Sequence, residues 1–492
     1  MITILSNPLT KRSLRLCYAF IAILSAVVLT SCEDMLAEEP KTIAAELFYN
    51  TPEEVESAVN AIYVPLRATR AEQVAILDAH TDWGYGRGSR AQYNDFAGMN
   101  AANANAAASR WNAFYQGIRN ANLVIANAPN GTSLSEEQIA GFVAEAKFLR
   151  ALAYFDLVRN WGGVPLRDEV NMTEINLRRS TAEEVYALIL SDLAEAEANL
   201  PNEPKHVGRP TKWAAKTMLA DVYLTLGRFE EARDKAEEVI QSNKFSLVPI
   251  SNKEDIQWKI FGPELTTTSE EIFYFKFARE LGQGNYLLWI LNHPSTGFYN
   301  FGGAYAHYSD ATNPFYMSWE DGDHRKDLWD MVDFGLGATT LVSGKYVDPA
   351  AVSNDGSGND SPIYRYAEVL LIYAEAATRA AGAPTNDAVE MLNQVRRRAY
   401  GHHPTSPSPV DFQIEAYDAE SFADLVLRER AYEFQFEGKR WYDLKRTGTA
   451  AEAILEAKGL TIAEAHYLWP IPTEELSFNK ALDPTTDQNP GY

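Results

Sequence analysis

Apolar residues return with a helical period along most of the chain. Val55, Ala58, Val59, Ile62, Tyr63 and Leu66 fall at i, i+3, i+4, i+7, i+8 and i+11, which is one face of an amphipathic helix. Thr51-Pro52-Glu53-Glu54 supplies its start. Threonine caps, proline occupies the first turn where its missing N–H costs nothing, and the acids suit the positive helix end. Trp111, Phe114, Tyr115, Ile118 and Ile125 predict a second helix. Phe148, Leu152, Phe155 and Val158 predict a third, which should stop near Trp161-Gly162-Gly163 because glycine ends helices.

Between Ala215 and Ile240 the pattern becomes more specific. Leu219, Ala220, Tyr223, Gly227, Phe229, Ala232 and Ala236 match the spacing of a tetratricopeptide helix pair. Gly227 would make the turn, and the two alanines would let the second helix approach the first closely. A second such unit is predicted from Tyr366 to Ala399, with Leu370, Ala374 and Ala377 on its first helix and Ala388, Leu392 and Val395 on its second. Gly382-Ala383-Pro384 breaks it in the middle. Units of this kind usually present a binding face.

From about 242 to 365 the helical period fades, and Gly, Pro, Asn and Ser become frequent. Residues 271–277 read as a short strand, helix returns at 364–399 and 419–437, and the last 25 residues read as extended loop. The fold class expected is therefore mainly α, with tetratricopeptide-like repeats and a large loop-rich insertion carrying short strands. A long insertion in a helical chain is more often functional than ornamental.

Composition narrows the options. The chain has 492 residues, 46% of them hydrophobic, enough for a full core. Its formal charge of -23 repels phosphate backbones, so nucleic acid is not an expected partner. The only cysteines are Cys17 and Cys32, which excludes a disulfide framework and a Cys-rich zinc site. No cofactor or metal is expected. Asp355-Gly356-Ser357-Gly358-Asn359-Asp360 offers oxygen ligands for calcium but lacks the full EF-hand pattern, and Asp321-Gly322-Asp323-His324 is weaker still.

Lys11, Arg12 and Arg15 precede an apolar run from Leu16 to Val28, too short for the ~20 residues of a membrane-spanning helix but suited to a signal peptide. Leu29-Thr30-Ser31-Cys32 follows and resembles a bacterial lipobox. Residues 1–31 are then expected to be removed and Cys32 to be acylated, with several acyl chains giving stable anchoring. Glu33 and Asp34 resemble a surface-export signal of Bacteroidetes lipoproteins, at the head of a tether over 33–41.

Four further stretches point to one family. They are the run from Phe434 through Glu437-Gly438-Lys439-Arg440-Trp441-Tyr442-Asp443 to Arg446, the segment Trp469-Pro470-Ile471-Pro472 with its ending Gln488-Asn489-Pro490-Gly491-Tyr492, the helix from Arg365 to Ala376, and Thr211 to Lys216. In this order they resemble the SusD/RagB family of nutrient-binding lipoproteins from Cys32 to Tyr492. The resemblance implies one domain over 32–492, with an N-terminal half at about 42–240 and a C-terminal half at about 270–492. It also implies a place on the outer membrane, facing the cell exterior through the lipid anchor, and a SusC-like TonB-dependent transporter as partner. The implied ligand is an oligosaccharide or other nutrient that is handed on without being cut. Read from the residues alone, Glu437, Arg440, Asp443 and Arg446 would form a helix-end ion-pair cluster over Trp441. Pro470 and Pro472 would stiffen a segment lying across the helices.

Sugar recognition needs flat apolar faces for CH groups and polar neighbours for hydroxyls. Two stretches offer the mixture. In Asp82-Trp83-Gly84-Tyr85-Gly86-Arg87 the glycines would let rings stand out. The stretch from Asn285 to Asp310 carries Tyr286, Trp289, Asn292, Phe298, Tyr299, Tyr305 and Tyr308. Trp83, Tyr85, Arg87, Trp289, Asn292, Tyr299, Tyr305 and Tyr308 are the candidate ligand residues, with core packing a rival for Trp289. Other readings are a peptide-binding member of the same family, a tetratricopeptide scaffold for a protein partner, and a glycoside hydrolase. The last would need paired carboxylates about 5–10 Å apart, for which Asp82, Asp310 and Asp321 are nominal candidates. No nucleophile elbow, HExxH or phosphate loop accompanies them.

Overall fold

The first described helix, α1 (Pro52–Ala68), begins where the sequence places it. The Glu54 amide donates to the Thr51 hydroxyl, and the Glu54 carboxylate accepts from the Thr51 amide, so two orphan donors are satisfied at once. The computed structural model describes residues 48–301 and 306–492. Cys32, the expected signal segment, the tether and Tyr305 lie outside the described residues.

After α1 come α2 (Arg70–Ala79), α3 (Ala108–Asn127), α4 (Glu136–Trp161), α5 (Ala182–Asn199), α6 (Lys212–Thr225) and α7 (Phe229–Gln241). Helix α1 packs on α3, and from α3 onward each helix packs on its successor, so the first half builds up as a stack of hairpins. Helix α4 stops after Trp161, and Gly162 at φ +72 supplies the cap, as the glycine pair predicts. Helices α6 and α7 are the expected tetratricopeptide-like pair. Gly227 turns between them at φ +69, and Ala232 and Ala236 are fully buried where the helices meet.

The chain then leaves the helical body for residues 242–365. This stretch contains β1 (Glu271–Phe275), α8 (Leu287–Leu291), β2 (Ser309–Asp310), α9 (Pro314–Met317), β3 (Trp329–Met331), β4 (Thr340–Ser343) and β5 (Ser361–Arg365). Strands β1 and β5 pair antiparallel, and a second antiparallel sheet has the order β2–β4–β3. Strand β5 runs directly into α10 (Tyr366–Ala381), which packs on α7 and restores the helical stack. Helix α11 (Asn386–Ala399) completes the second predicted pair, with Gly382 in the left-handed conformation. Helices α12 (Ala419–Glu433), α13 (Arg440–Thr447), α14 (Ala450–Lys458) and α15 (Thr473–Phe478) follow. The last of these corrects the expectation of a wholly extended ending. From Tyr49 to Tyr492 the chain forms one compact unit. Among the described residues no helix is long and apolar enough to cross a membrane.

The C-terminal motif works as a strap. The Trp469 amide donates to the Asn160 carbonyl at 2.6 Å, and the Trp161 indole N–H to the Pro470 carbonyl at 3.0 Å. Asn489 donates to the carbonyls of Trp161 and Trp469, while Gln488 pairs in both directions with the backbone of Ile471. Trp469, Gln488 and Asn489 thus satisfy backbone groups that would otherwise be costly to bury.

The expected ion-pair cluster at the head of α13 is different from the one observed. Only Asp443 and Arg446 pair locally, at 2.8 Å. Arg440 grips Asp82 through two guanidinium nitrogens, and Glu437 pairs with Arg365 and Lys345. Sequence spacing along one helix could not show these partners because they come from α2's following loop, β4's following loop and β5.

Candidate functional site

The residues of the Asp82–Arg87 loop divide into buried and exposed. Trp83 is 0% exposed and sits edge-on to Phe436 at 5.0 Å and Trp329 at 5.9 Å. It is a core residue, so no ligand ring can reach its face. Gly84 explains the placement. A Cβ there would lie 2.2 Å from the Asp78 carbonyl oxygen, so the glycine permits close packing and does not free the ring. Asp82 is likewise buried, under Arg440.

Beyond Gly84 the loop turns outward. The Tyr85 amide donates to the Tyr308 carbonyl and the Tyr308 amide to the Tyr85 carbonyl, both at 2.9 Å. This isolated antiparallel bridge joins two stretches far apart in sequence. It sets the rings of Tyr85 and Tyr308 in a stack, 5.3 Å between centroids and 19° between planes. Phe334 meets Tyr308 edge to face at 6.3 Å and 85°. His293 stacks on Phe334 at 4.7 Å and 13°, and the Arg87 guanidinium lies 5.0 Å from the Phe334 centroid. All five side chains are half-buried, so part of each remains open to solvent.

Protonation states suit neutral hydrogen bonding. Burial pushes both tyrosine phenols up from their usual value, so they remain hydroxyls that donate and accept. Burial, and then Arg87, push His293 down, leaving a neutral imidazole. Burial opposes ionisation of Asp310, yet hydrogen bonds from Thr312 and Thr339 hold it below the usual carboxylate range. The Asn313 side-chain amide spans the Tyr85 hydroxyl at 3.4 Å and the Asp82 carbonyl at 3.1 Å. Next to it opens a cleft of about 370 Å³ between Pro314, Phe315, Tyr432, Arg440 and Ala457.

The other candidates lie apart from this face. Asn292 is 0% exposed; its amide donates to the Leu288 carbonyl and its oxygen accepts from Thr296, so it finishes α8. Tyr299 is 2% exposed and its hydroxyl reaches the backbone carbonyls of Ser353 and Asn354. Neither can touch a ligand from outside. Trp289 is half-buried, stacked on Tyr286 at 4.9 Å, with both rings packed against the core. Of the candidates, the structure brings together Tyr85, Arg87 and Tyr308.

Phe334 and His293 were missed. Phe334 stands in Asp333-Phe334-Gly335-Leu336-Gly337, a ring beside glycines that is similar to the earlier loop. His293 precedes Pro294 and carried no signal.

The rival chemistries find little support. Asp82 is held by Arg440, Asp310 is lowered, and Asp321 is lowered by its bond to Lys326. A general acid needs a raised carboxyl instead. In the 355–360 loop, Asp360 accepts from Lys276 and the Phe277 amide, and the Asn359 amide donates to the Phe261 and Val347 carbonyls. Among the described residues no group of three or more His, Cys, Asp or Glu side chains is placed to hold a metal ion.

Comparison with known proteins agrees with the motifs. A family model described as the SusD family matches residues 295–492, and one described as starch-binding and associating with the outer membrane matches residues 41–224. The chain is 28% identical to a SusD-like protein of Formosa agariphila, over 96% of this chain and 99% of the relative. Its fold is similar to that of a SusD superfamily protein from Parabacteroides distasonis, with a TM-score of 0.73 and 26% identity, covering 89% of this chain and 99% of the other. A surface glycan-binding protein A from Bacteroides thetaiotaomicron, in complex with laminarihexaose, shares the fold at a TM-score of 0.72 and 22% identity, covering 89% and 99%.

Proposed function

Since the chain belongs to the SusD/RagB family, we propose that it is a surface glycan-binding protein whose ligand face is the platform of Tyr85, Tyr308, Phe334, His293 and Arg87. The observation that carries the reading is the bridge between two distant loops that sets stacked, half-exposed rings beside neutral hydroxyl and imidazole groups. Ring faces take the CH faces of a sugar, and the phenols, imidazole and guanidinium take its hydroxyls. Proteins with this fold include a surface glycan-binding protein A in complex with laminarihexaose, and one matching family model is described as starch-binding.

In this reading the oligosaccharide is bound and not cut. A SusC-like TonB-dependent transporter receives it, and acylated Cys32 holds the protein at the outer membrane, facing outward. The lipobox supports the anchor, and the description of the N-terminal family supports the membrane. Immobilised soluble-neutral oligosaccharides of several linkages would test binding, with chromatography of the same mixtures for products. Capture of one linkage class without new products is expected. Release of shorter sugars by the pure protein would replace this reading with a hydrolase.

A further inference from the structure

We infer that Lys458, the last residue of α14, positions the aromatic platform by pinning the loop that carries Tyr85 and Arg87. This rests on the platform reading above. The Lys458 ammonium donates to the carbonyls of Gly84 at 2.7 Å, Ala79 at 2.9 Å and Asn94 at 3.5 Å. These three carbonyls mark the start, the middle and the end of the loop. The same ammonium lies 4.5 Å from the centre of the Tyr85 ring, a cation–π distance. One charge from the C-terminal half therefore closes a loop of the N-terminal half and faces the ring it presents.

The loop has internal ties, but they are local. The Gly86 amide donates to the Asn94 side-chain oxygen and the Asn94 amide returns a bond to the Gly86 carbonyl. Thr81 bonds to the Asp78 carbonyl and to the Gly84 amide. These shape two turns, of which the first is also fixed to the rest of the molecule by Asp82 under Arg440 and by Trp83 in the core. From Gly84 onward Lys458 and the bridge to Tyr308 take over that fixing, with Arg90 paired to Glu72 of α2.

A lysine can serve three carbonyls only while it carries three N–H donors. Burial pushes Lys458 down to about 7, with Asp82 and Asp95 pulling the other way. His80 and His307 also face it, and both are held neutral, first by burial and then by neighbouring cations that include Lys458. Arg440, paired with Asp82, adds no free charge. The pin should therefore loosen as pH rises through the neutral range, while its arginine replacement should not titrate.

Amide hydrogen exchange, read by mass spectrometry on the full chain without ligand, tests the inference. Lys458→Met should speed exchange across residues 80–94 about tenfold, the worth of roughly one lost charged hydrogen bond, and leave α10 unchanged. Lys458→Arg should restore most of the protection. In the unaltered protein, protection of the same segment, relative to the intrinsic rate, should fall between pH 6 and pH 8.5, roughly spanning the shifted lysine. This profile needs no variant, so it stands even if Lys458→Met fails to fold. Segment 80–94 equally protected in Lys458→Met, or a flat profile across that range, would overturn the inference. Either outcome leaves the glycan reading intact, and failure of every glycan to bind would leave the pin intact.

Discussion

Two regions of this molecule are built from the same residue types and do opposite things. At the end of β5, Arg365, Glu433, Glu437 and Lys345 lie among Phe261, Phe434 and Tyr346, every charged group buried and paired. At the platform, Arg87 and His293 lie over Phe334, beside Tyr85 and Tyr308, with all of them half open to water. In the first region each polar atom's preferred partner is another part of the chain. In the second, ring faces and polar tips remain within reach of solvent. Solvent access, and not aromatic content, separates architecture from recognition here.

The comparison breaks most readily at the buried end. Glu433→Gln takes from Arg365, Arg398 and Arg325 the one carboxylate all three share, leaving them Glu437, Glu270, Asp323 and Glu429. It should cost about 3–5 kcal/mol in denaturant unfolding, because a buried charge that loses its partner is not rehydrated. Trp83→Ala should cost a similar amount, about 3–5 kcal/mol, from the cavity it leaves among Trp329 and Phe436. A Trp83→Ala protein that melts like the parent would return Trp83 to the surface and undo the division just drawn.

Acid sharpens the contrast. Burial alone would raise Asp443, yet Arg430 and Arg446 hold it at about 2. A depressed carboxylate stabilises the fold above its unfolded value and loses that contribution as pH falls through the folded one. Asp443→Asn should therefore be less stable by about 2 kcal/mol at neutral pH, with the gap closing as pH drops towards 2. A gap that persists unchanged in acid would mean that the charge pairing is not its source.

At the platform the effects move from stability to affinity. Phe334→Ala should weaken oligosaccharide binding by about 1 kcal/mol, roughly fivefold, with little change in melting. Phe478→Ser, at an exposed position away from both regions, should change stability by no more than about 0.5 kcal/mol and leave affinity alone.

Much of the fold was legible because helices advertise themselves locally. The i, i+3, i+4 spacing gave α1, α6, α7, α10 and α11, and Gly162, Gly227 and Gly382 ended or joined helices as their conformational freedom requires. The strap was legible as a family motif, and its hydrogen bonds show what those residues do together in this chain. The site was legible only in part. Asp82-Trp83-Gly84-Tyr85-Gly86-Arg87 looks uniform in sequence, but Gly84 is small to admit the Asp78 carbonyl, which draws Trp83 inward, while Tyr85 is turned out by its bridge to Tyr308. The bridge, and the packing of Trp83 on Trp329 and Phe436, depend on distant chain. So do Lys458 and the partners of Arg440 and Glu437, which no spacing within one helix could reveal.

The central claim is that stacked Tyr85 and Tyr308 hold a sugar face. Titration calorimetry of a panel of oligosaccharides, laminarihexaose among them, against the parent protein and a Tyr85→Ala/Tyr308→Ala double variant tests it most directly. The account predicts binding of at least one glycan by the parent and a loss of about 2 kcal/mol or more, roughly thirtyfold, in a double variant that still melts cooperatively. Undiminished affinity in that folded variant would contradict it.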